Sequence, residues 1–596
     1  MTQTFFLRRW MLTSGVMLAL SAPSLMTAAG ANVYLQQNLV SNVAGQAAFT
    51  DPNLVDPWGN SFSAAGPFWI SNHLTGTSTL YNGSGAITPL VVTIPIGKAG
   101  TGIGKPTGQV QNASTSTTSF VLANNVKASF IFATEDGTIS AWNTGTLAQL
   151  MVDNSSTGAV YKGLAINPSA TAPLIYAANF NSGKIDVFDG AFKPATAPGG
   201  FTDPNLPAGF APFNIWNLNG QLYVAYAKQD ANKFLDVKGA GNGVVDVFDF
   251  NGTLVKRLVT NGALNSPWGL AIAPAGWGAF GGALLVGNFG DGRINAFDLT
   301  TGNLLGTLQD TAGNPIAIAG LWAIMFGGNG TNSDANTLYF TAGAPDGVAK
   351  RGLLGSLAPP AAIRFIYNGA GGQTASIAPG EIVSLTGQTV GPEPRAIGTL
   401  PATGTVGTTL GTTSVTFNNI AAPVFYASGS LTSVIVPYGV AGSTTANVVL
   451  KTGGQTTAAF TIPVAASIPG VFTSNGGGTG QAVVFNQDGT VNTAANAAAK
   501  GSVIVLYATG EGTTNPPGQD GLISSTDVLR VPVLPVSLTI GGQAATVLYA
   551  GSAPGNVAGV MEVEAIIPTG AASGAAPLVL TVGSATSQAN VTVNVK

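Results

Sequence analysis

The sequence predicts an all-β protein: a six-bladed β-propeller followed by two tandem immunoglobulin-like β-sandwiches. A unit of short apolar strands recurs six times between residues 32 and 358, at a period just over fifty residues. Asp-Gly, Ser-Gly and Asn-Gly pairs separate strands within this unit, and such pairs favour tight hairpins because they tolerate positive φ. A second pattern of short alternating strands occurs twice after Pro360. Radially repeated sheets and paired sandwiches are the architectures that these patterns favour.

Composition restricts the functions that this chain can have. Of its 596 residues only 8% are charged, so small neutral polar groups must cover much of the surface. A formal net charge of -3 and the absence of any Lys/Arg run predict neither a nucleic-acid partner nor an anionic membrane partner. Cysteine is absent, which excludes disulfides and thiolate metal sites. His73 is the single histidine, so a Ser-His-Asp triad could be built only around it.

Residues 1–31 have the pattern of a secretory signal peptide. Arg8 and Arg9 precede an apolar stretch, and Ala29-Gly30-Ala31 forms an A-x-A-like cleavage site. The stretch is interrupted by Ser, Thr and Pro and is shorter than a membrane span requires. We therefore expect a secreted protein, extracellular or periplasmic or associated with the cell surface, with no membrane span after signal removal. The arginine pair fits twin-arginine export as well as the general secretory route.

Each unit of the N-terminal repeat opens with an apolar strand led by a small turn, as in "PWGNSF" at Pro57 and "PWGLAI" at Pro267. Its second strand ends in a polar turn, and its third closes on an aromatic residue and Asp or Asn, as in "KIDVFD". The last unit lacks a fourth strand before Pro359, and we expect residues 33–41 to supply it and seal the ring, which would leave no open edge. Each of the six first strands contains one equivalent position, and these are Gly59, Gly108, Gly163, Asn214, Gly269 and Ala323. The intervals between successive positions are 49, 55, 51, 55 and 54 residues.

The C-terminal part is an internal duplication with predicted domains at 361–466 and 467–596. "APGEIVSLTG" at Ala378 returns as "AKGSVIVLYATG" at Ala499, and "SVTFNNIAAPVFYASG" at Ser414 returns as "SLTIGGQAATVLYAGS" at Ser537. Turn signals every 8 to 12 residues are typical of immunoglobulin-like sandwiches. We expect these domains to act as spacers.

Two blocks of sequence resemble known families. "TDPNLVDPWGNSFS", "FWISNHLTGTSTLYNG" and "LYFTAGAPDGVAKRGLLGSL" resemble an uncharacterised family of secreted bacterial propeller proteins related to NHL-repeat propellers, from residue 32 to about 357. "APGEIVSLTG" and "VPYGVAG" are similar to a duplicated C-terminal domain of exported bacterial proteins, over residues 361–596. Both resemblances imply a fold and neither implies a reaction.

The candidate site is the mouth of the propeller, where loops between second and third strands meet loops between blades. A ring of acids and amides with one histidine could hold Ca²⁺ or a hydroxyl-rich ligand, although hairpin turns require many of the same residues. The candidate binding residues are Asn72, His73, Glu135, Asp136, Asn179, Asp230, Asp236, Asn288, Asp291 and Asp346. His73 suits a general base by its ordinary pKa, yet Phe180 and Phe289 hold the equivalent positions in other units, which favours packing.

Candidate metal ligands are Asn72, Asn179 and Asn288, because gluconolactonase-type propellers hold a divalent cation with a Glu, two Asn and an Asp from different blades. Tyr226 and Ala342 occupy the same register in two other units, which weakens the comparison. The leading hypothesis is a non-enzymatic binding or adhesion protein whose mouth engages an extracellular carbohydrate or protein. A metal-dependent hydrolase or lactonase is the alternative, and a purely structural matrix protein is the third.

One further feature is the charged insertion at residues 228–243, in a chain that otherwise avoids charge. Long loops on rigid scaffolds often carry function. A solvated flap held by its own salt bridges explains the same composition.

Overall fold

A computed structural model describes residues 32–64, 66–328, 333–343, 350–392 and 394–596. The expected signal peptide and Asp346 lie outside these described residues. Backbone contacts divide the chain into two compact units, of which one ends at Pro359 and the other begins at Pro360. Helix in the described ranges is limited to three short 3₁₀ turns, and none is long and apolar enough to cross a membrane: Ser155–Thr157, Gly278–Phe280 and Tyr438–Val440.

The strands of the N-terminal unit follow the predicted repeat. They are β1 (Leu35–Ser41), β2 (Phe49–Thr50), β3 (Pro57–Ser61), β4 (Phe68–Asn72), β5 (Thr77–Tyr81), β6 (Ile87–Thr93), β7 (Pro106–Gln111), β8 (Phe130–Thr134), β9 (Thr138–Trp142), β10 (Gln149–Asp153), β11 (Tyr161–Asn167), β12 (Leu174–Asn179), β13 (Lys184–Asp189), β14 (Pro194–Ala195), β15 (Phe210–Leu218), β16 (Gln221–Lys228), β17 (Val244–Phe248), β18 (Leu254–Thr260), β19 (Pro267–Ile272), β20 (Leu284–Asn288), β21 (Ile294–Phe297), β22 (Leu304–Thr307), β23 (Leu321–Phe326), β24 (Leu338–Ala342) and β25 (Leu353–Ala358).

These strands form six sheets among the described residues. Sheets 1 to 5 each contain four consecutive strands, β3–β6, β7–β10, β11–β14, β15–β18 and β19–β22, and sheet 6 has the order β2-β1-β25-β24-β23. The first strands of neighbouring sheets contact one another in a closed series. β3 contacts β7, β7 contacts β11, β11 contacts β15, β15 contacts β19, β19 contacts β23, and β23 contacts β3. The unit is therefore propeller-like, and the all-β prediction is confirmed.

The repeat positions aligned in the sequence lie where first strands of neighbouring sheets approach most closely. A Cβ added to Gly59 would collide with the backbone of Thr107, one on Gly108 with Leu164, and one on Gly163 with the Asn214 side chain. The spacing of these glycines is thus a packing requirement, since only a residue without a side chain permits such contact.

The last sheet is completed by the N-terminal strand, as predicted. β1 pairs antiparallel with β25, with Leu35 opposite Ala358 and Ser41 opposite Leu353. Ser41 Oγ adds a hydrogen bond of 3.0 Å to the carbonyl of Gly352. The edge of sheet 6 that would otherwise be open is thereby covered.

The C-terminal unit contains the remaining strands: β26 (Ala362–Asn368), β27 (Ile382–Gln388), β28 (Ala396–Ile397), β29 (Thr409–Leu410), β30 (Thr413–Phe417), β31 (Ile420–Ala422), β32 (Val424–Ala427), β33 (Leu431–Ile435), β34 (Thr445–Thr452), β35 (Gln455–Thr456), β36 (Phe460–Pro463), β37 (Gly470–Val471), β38 (Gly480–Gln481), β39 (Val484–Asn486), β40 (Val503–Thr509), β41 (Thr514–Asn515), β42 (Val531–Pro532), β43 (Val536–Ile540), β44 (Gln543–Ser552), β45 (Met561–Ile566), β46 (Gly574–Val582), β47 (Ala585–Thr586) and β48 (Val591–Val595).

Strand pairing in this unit repeats between the two copies. β27 pairs with β33 and β30 with β34 in the first copy, as β40 pairs with β45 and β43 with β46 in the second. The copies differ at Pro423, which separates β31 from β32, whereas Thr546 stands at the equivalent position inside the single strand β44. Proline has no backbone N–H to donate to a ladder, so one strand of the second copy is two strands in the first.

Candidate functional site

The mouth face is defined here as the end of the N-terminal unit that carries the loops from second to third strands and the loops between sheets. Successive strands are antiparallel, so both sets of loops emerge at the same end. The opposite end, called the turn face, carries the loops from third to fourth strands. On the turn face Asp189, Asp249 and Asp298 each accept two backbone N–H bonds within their own turn.

A column of four stacked rings fills the centre just below the mouth face. His73 lies against Trp58 with ring centroids 4.7 Å apart, Trp58 lies 3.6 Å from Trp322, and Trp322 lies 3.9 Å from Phe289. Trp268 meets both Trp58 and Trp322 edge-on. All five side chains are buried, and the aromatic members belong to one hydrophobic cluster drawn from several sheets.

His73 lies between two carboxylates and uses both of its ring nitrogens. Nδ1 is 3.1 Å from Asp56 Oδ2, and Nε2 is 2.8 Å from Glu135 Oε2. The indole of Trp58 donates a further hydrogen bond of 3.0 Å to Asp56. Asp56 adopts the left-handed backbone region at φ 51°, which an aspartate tolerates better than most residues. The imidazole is therefore held in place by a turn of sheet 1 and a turn of sheet 2.

Lys162 is a second cation beside His73 and also binds Glu135. This lysine is 1% exposed and forms an ion pair with Glu135 Oε1. Its ammonium also lies 5.3 Å from the ring centre of Trp58 and 4.9 Å from that of Phe234, which are distances at which cations are attracted to aromatic faces. We call Asp56, His73, Glu135 and Lys162 the charged quartet; its two carboxylates balance its two cations.

The quartet fixes its own protonation state. Burial lowers the pKa of His73, but the Glu135 and Asp56 carboxylates outweigh burial and raise that pKa to about 9. Burial likewise opposes ionisation of Glu135, but Lys162 and His73 hold its pKa far below the usual range. At neutral pH both ring nitrogens of His73 are consequently protonated and both donate. An imidazolium in this state has no lone pair with which to act as a general base.

The three candidate metal ligands are each hydrogen-bonded to different partners. Asn72 Nδ2 donates to Thr79 Oγ1 at 2.9 Å, Asn179 Nδ2 donates to Asp186 at 2.9 Å, and Asn288 Nδ2 donates to the carbonyl of Ala263 at 2.8 Å. The Oδ1 atoms of Asn179 and Asn288 accept backbone N–H bonds.

Of the oxygens of these three amides, only Asn72 Oδ1 lacks a partner. The parts of the chain that the structure describes hold no cluster of three His, Asp or Glu side chains suited to a metal. The side chains of Asn179 and Asn288 thus bind groups of their own sheets and the adjoining turns.

Two candidate carboxylates outside the quartet, Asp136 and Asp291, bind backbone amides in loops of the mouth face. Asp136 accepts from the amides of Gly97 and Lys105, at 3.0 and 3.2 Å, and so ties a loop of sheet 2 to the loop that precedes it. Asp291 accepts from the amide of Arg293 at 3.1 Å. Asp236 Oδ2 is buried without a hydrogen-bond partner.

The insertion is a structured cap on the ring column. Asp230 Oδ1 accepts from the amides of Phe234 and Leu235, at 2.8 and 3.0 Å, which closes the tip of the loop. Phe234 points down onto Lys162, whereas Leu235 and Val237 are 55% and 37% exposed. The insertion is thus anchored by one aromatic residue and presents two aliphatic residues to solvent.

The sequence interpretation found His73 and Glu135 but not their partners. Asp56 and Lys162 are not among the candidate residues that the sequence predicts. A lysine inside the apolar strand "YKGLAI" was the available signal, because lysine is rarely buried without a charged partner. The pairing itself could not be found, since Asp56, Glu135 and Lys162 belong to different sheets.

Comparison with known proteins identifies relatives that match part of the chain. The chain is 34% identical over 340 residues to the uncharacterised protein R648 of Acanthamoeba polyphaga mimivirus, covering 55% of this chain and 80% of that protein. It is also 34% identical over 340 residues to the uncharacterised protein L690 of the same virus, covering 55% of this chain and 86% of the relative. No protein-family model matches the chain.

Solved structures with a similar course of the chain are more distant. A streptogramin B lyase is 13% identical with a TM-score of 0.31, covering 54% of this chain and 97% of its own. The PQQ-bound aldose sugar dehydrogenase of Streptomyces coelicolor is 13% identical with a TM-score of 0.33, covering 55% and 100%. A protein of unknown function from Bacteroides thetaiotaomicron is 13% identical with a TM-score of 0.35, covering 55% and 76%. Likeness at these values does not extend to activity.

Proposed function

This chain belongs to the family of the mimivirus proteins R648 and L690, and we propose that it is a secreted, non-catalytic binding protein whose mouth face engages an extracellular ligand. In this proposal the six sheets of the N-terminal unit are the blades of a six-bladed propeller. The two C-terminal copies are immunoglobulin-like sandwiches that act as spacers. The closed ring of contacts among first strands supports the blade assignment.

The observation that carries the binding proposal is the anchored insertion. Ordering a long loop costs conformational entropy, and here that cost is met before any ligand arrives, because Phe234 and Asp230 already fix the tip. Leu235 and Val237 remain exposed on this rigid support. Exposed aliphatic side chains on a preorganised loop are suited to recognition, since little freedom is lost on binding.

The quartet supports binding over catalysis. Its four charges are satisfied by one another, and His73 has no free nitrogen for proton transfer. The hydrolase alternative needs a cation or a free base at the mouth face, and neither the asparagines nor the quartet supplies one.

The test is a glycan-array and protein-ligand screen with the full chain, followed by affinity measurements on the strongest ligand. We expect Leu235→Ser/Val237→Ser to weaken binding about five- to thirtyfold, because it removes aliphatic contacts worth about 1 to 2 kcal/mol together. Leu304→Ser is the matched control: Leu304 is 51% exposed at the turn-face end of β22. Equal affinity of the double variant and the wild type would contradict the proposal, as would turnover of the bound ligand.

A further inference from the structure

Sheets 1 and 3 contain the same kind of polar pair between the end of the second strand and the third strand. In sheet 1 Asn72 Nδ2 donates to Thr79 Oγ1, and in sheet 3 Asn179 Nδ2 donates to Asp186, both at 2.9 Å. Each pair joins an amide donor to an oxygen acceptor, so it needs no proton beyond those that the two groups ordinarily carry. These positions are thus satisfied in both sheets without a shared proton.

Sheet 4 has different groups at these two positions. Tyr226 stands in the register of Asn179, and Asp246 in the register of Asp186. Asp246 is fully buried, and neither of its carboxyl oxygens accepts a hydrogen bond from the described part of the chain. Because burying an ionised carboxylate without such partners is costly, this acid is more stable here in its protonated form.

A second acid faces Asp246 from the loop between sheets 3 and 4. The carboxyl group of Asp203 lies within hydrogen-bonding reach of that of Asp246. Arg257 Nε is 2.8 Å from Asp203 Oδ2 and 3.6 Å from Asp246 Oδ1, so the guanidinium pairs with Asp203. The titratable and charged groups that face Asp246 are thus Asp203 of the loop, Arg257 of β18 and Tyr226 of β16. One cation balances one carboxylate, and the arrangement is neutral only while the other carboxyl group keeps its proton.

The loop that carries Asp203 is attached at few points. We call residues 202–208 the strap, in which the structure describes turns and no strand. Apart from bonds within local turns, the hydrogen bonds that join the strap to the rest of the described chain are those from Arg257 to Asp203. Leu206 adds apolar contact, because it packs against the cluster that contains Tyr226 and Phe248. The strap is therefore held by one ion pair, one aliphatic side chain and the proton between the two acids.

The strap is joined to the insertion that carries the binding proposal. The residue after the strap, Gly209, accepts a hydrogen bond of 2.8 Å from the amide of Gln229, the second residue of the insertion. Tyr226 and Asp246 flank the insertion on either side along the chain. A movement of the strap would thus change the support of the insertion as well as the surface of sheet 4.

From this arrangement we propose that the strap is a pH-sensitive closure, shut while Asp246 holds its proton and increasingly open as that proton is lost. Loss of the proton leaves two carboxylates beside one guanidinium, and like charges repel strongly in a buried place. The strap can relieve this repulsion by carrying Asp203 into solvent, whereas β17 is held on both sides by β16 and β18. The inference goes beyond the proposed binding function and does not depend on it, because the closure responds to protons alone.

The pH range of the closure follows from the two states of Asp246. Burial, and then the charge of Asp203, raise the pKa of Asp246 to about 7 when the strap is shut, and an exposed aspartate titrates at about 3.9. Between these values the open form releases a proton that the shut form retains. The fraction of open strap should therefore rise by up to about tenfold per pH unit over this range and level off above about pH 7.

The experiment uses cysteine labelling, since the chain has no cysteine of its own. Leu206→Cys places a thiol on the packed side of the strap, and Ala208→Cys places one at an exposed position of the same segment. The ratio of the two labelling rates cancels the pH dependence of thiol ionisation. We expect this ratio to rise at least about tenfold between about pH 5 and about pH 7 and then to stay constant. A ratio that does not change over this range would overturn the inference.

Two further substitutions, each combined with the two cysteine variants, identify the group responsible. Asp246→Asn keeps a neutral hydrogen-bonding side chain at every pH, so the ratio should change less than about twofold between about pH 5 and about pH 7. Asp186→Asn is the matched control, because it removes the acid at the same register of sheet 3, and here the rise should remain. A rise that persists in Asp246→Asn, or one that disappears in Asp186→Asn, would contradict the assignment of the closure to Asp246.

Limited chymotrypsin digestion of the wild-type chain tests the same closure without substitutions. The protease should cut after Phe201, which precedes the strap and packs partly into the same cluster. Relative to a synthetic peptide of residues 196–209, this cut should become at least about tenfold faster between about pH 5 and about pH 7. Cuts after Phe248 of β17 at an equal rate would show that the whole sheet unfolds, and a local closure would then be wrong.

Discussion

The free energy of unfolding of the N-terminal unit should fall as the pH rises from about 7.5 to about 9, because of one proton on His73. The pKa of this histidine in the folded protein is raised to about 9, whereas in the unfolded chain it titrates near 6.5. Between these values the folded protein retains a proton that the unfolded chain has released. The stability that this proton confers is complete below the unfolded pKa and is lost as the pH passes the folded pKa.

The size of the effect follows from the shift. A difference of one bound proton gives a slope of at most about 1.4 kcal/mol per pH unit. Over the about 1.5 pH units of this window the loss should reach about 2 kcal/mol, a substantial fraction of the roughly 5 to 15 kcal/mol by which ordinary domains are stable. Asp246, whose pKa is raised by burial and then by Asp203 to about 7, has lost most of its proton before this window begins.

The assay is urea unfolding followed by tryptophan fluorescence at a series of pH values. Tryptophan is absent beyond Trp322, so the fluorescence reports on the N-terminal unit and not on the C-terminal one. Trp58, which lies against the imidazole, is a local probe. His73→Gln is the control, because its amide can still donate to a carboxylate but does not titrate. Stability that stays flat in the wild type, or that falls equally in His73→Gln, would refute the reasoning.

Two other substitutions test the same unit. Gly163→Ala should lower the free energy of unfolding by about 3 kcal/mol or more, because its methyl group collides with Asn214. The control is Gly276→Ala, where an added Cβ meets nothing within 4 Å, and it should change the free energy of unfolding by less than about 0.5 kcal/mol. Equal urea midpoints for the two variants would contradict close packing between neighbouring first strands. Burial, followed by the charge of Asp203, raises the pKa of Asp246 to about 7. The free energy of unfolding should therefore fall as the pH rises from about 5 to about 7, and Asp246→Asn should remove that fall. If the variant keeps the pH profile of the wild type, measured by tryptophan fluorescence, Asp246 is not the source of the fall.

Backbone features were the most predictable part of this molecule. Strand order, the hairpin turns and the pairing of β1 with β25 could be predicted because each depends on local periodicity or on one missing strand. The aligned positions Gly59, Gly108 and Gly163 were predictable as a repeat, but their cause was not. The structure supplies the cause, which is contact between neighbouring first strands.

Side-chain partnerships were not predictable, for two different reasons. Asn179 and Asn288 were expected to face a common ligand, but a side chain at a strand end can turn inward as readily as outward, and here both satisfy backbone groups of their own turns. Asp56 and Lys162 were missed because a charged network between sheets depends on distances that no sequence spacing encodes.

Sheet 6 draws strands from both ends of the N-terminal unit, and this sets an order of events for folding. Ser41 and Gly352, which are bonded across the seam, are 311 residues apart along the chain. Contacts of such sequence separation slow folding, because a long loop must close before they contribute. During synthesis β1 emerges long before β25, so until then it can pair only with the two-residue strand β2. The pairing of β1 with β25 can therefore form only after the whole N-terminal unit has been synthesised. A chain truncated before β25 would leave one edge of β1 exposed to proteases.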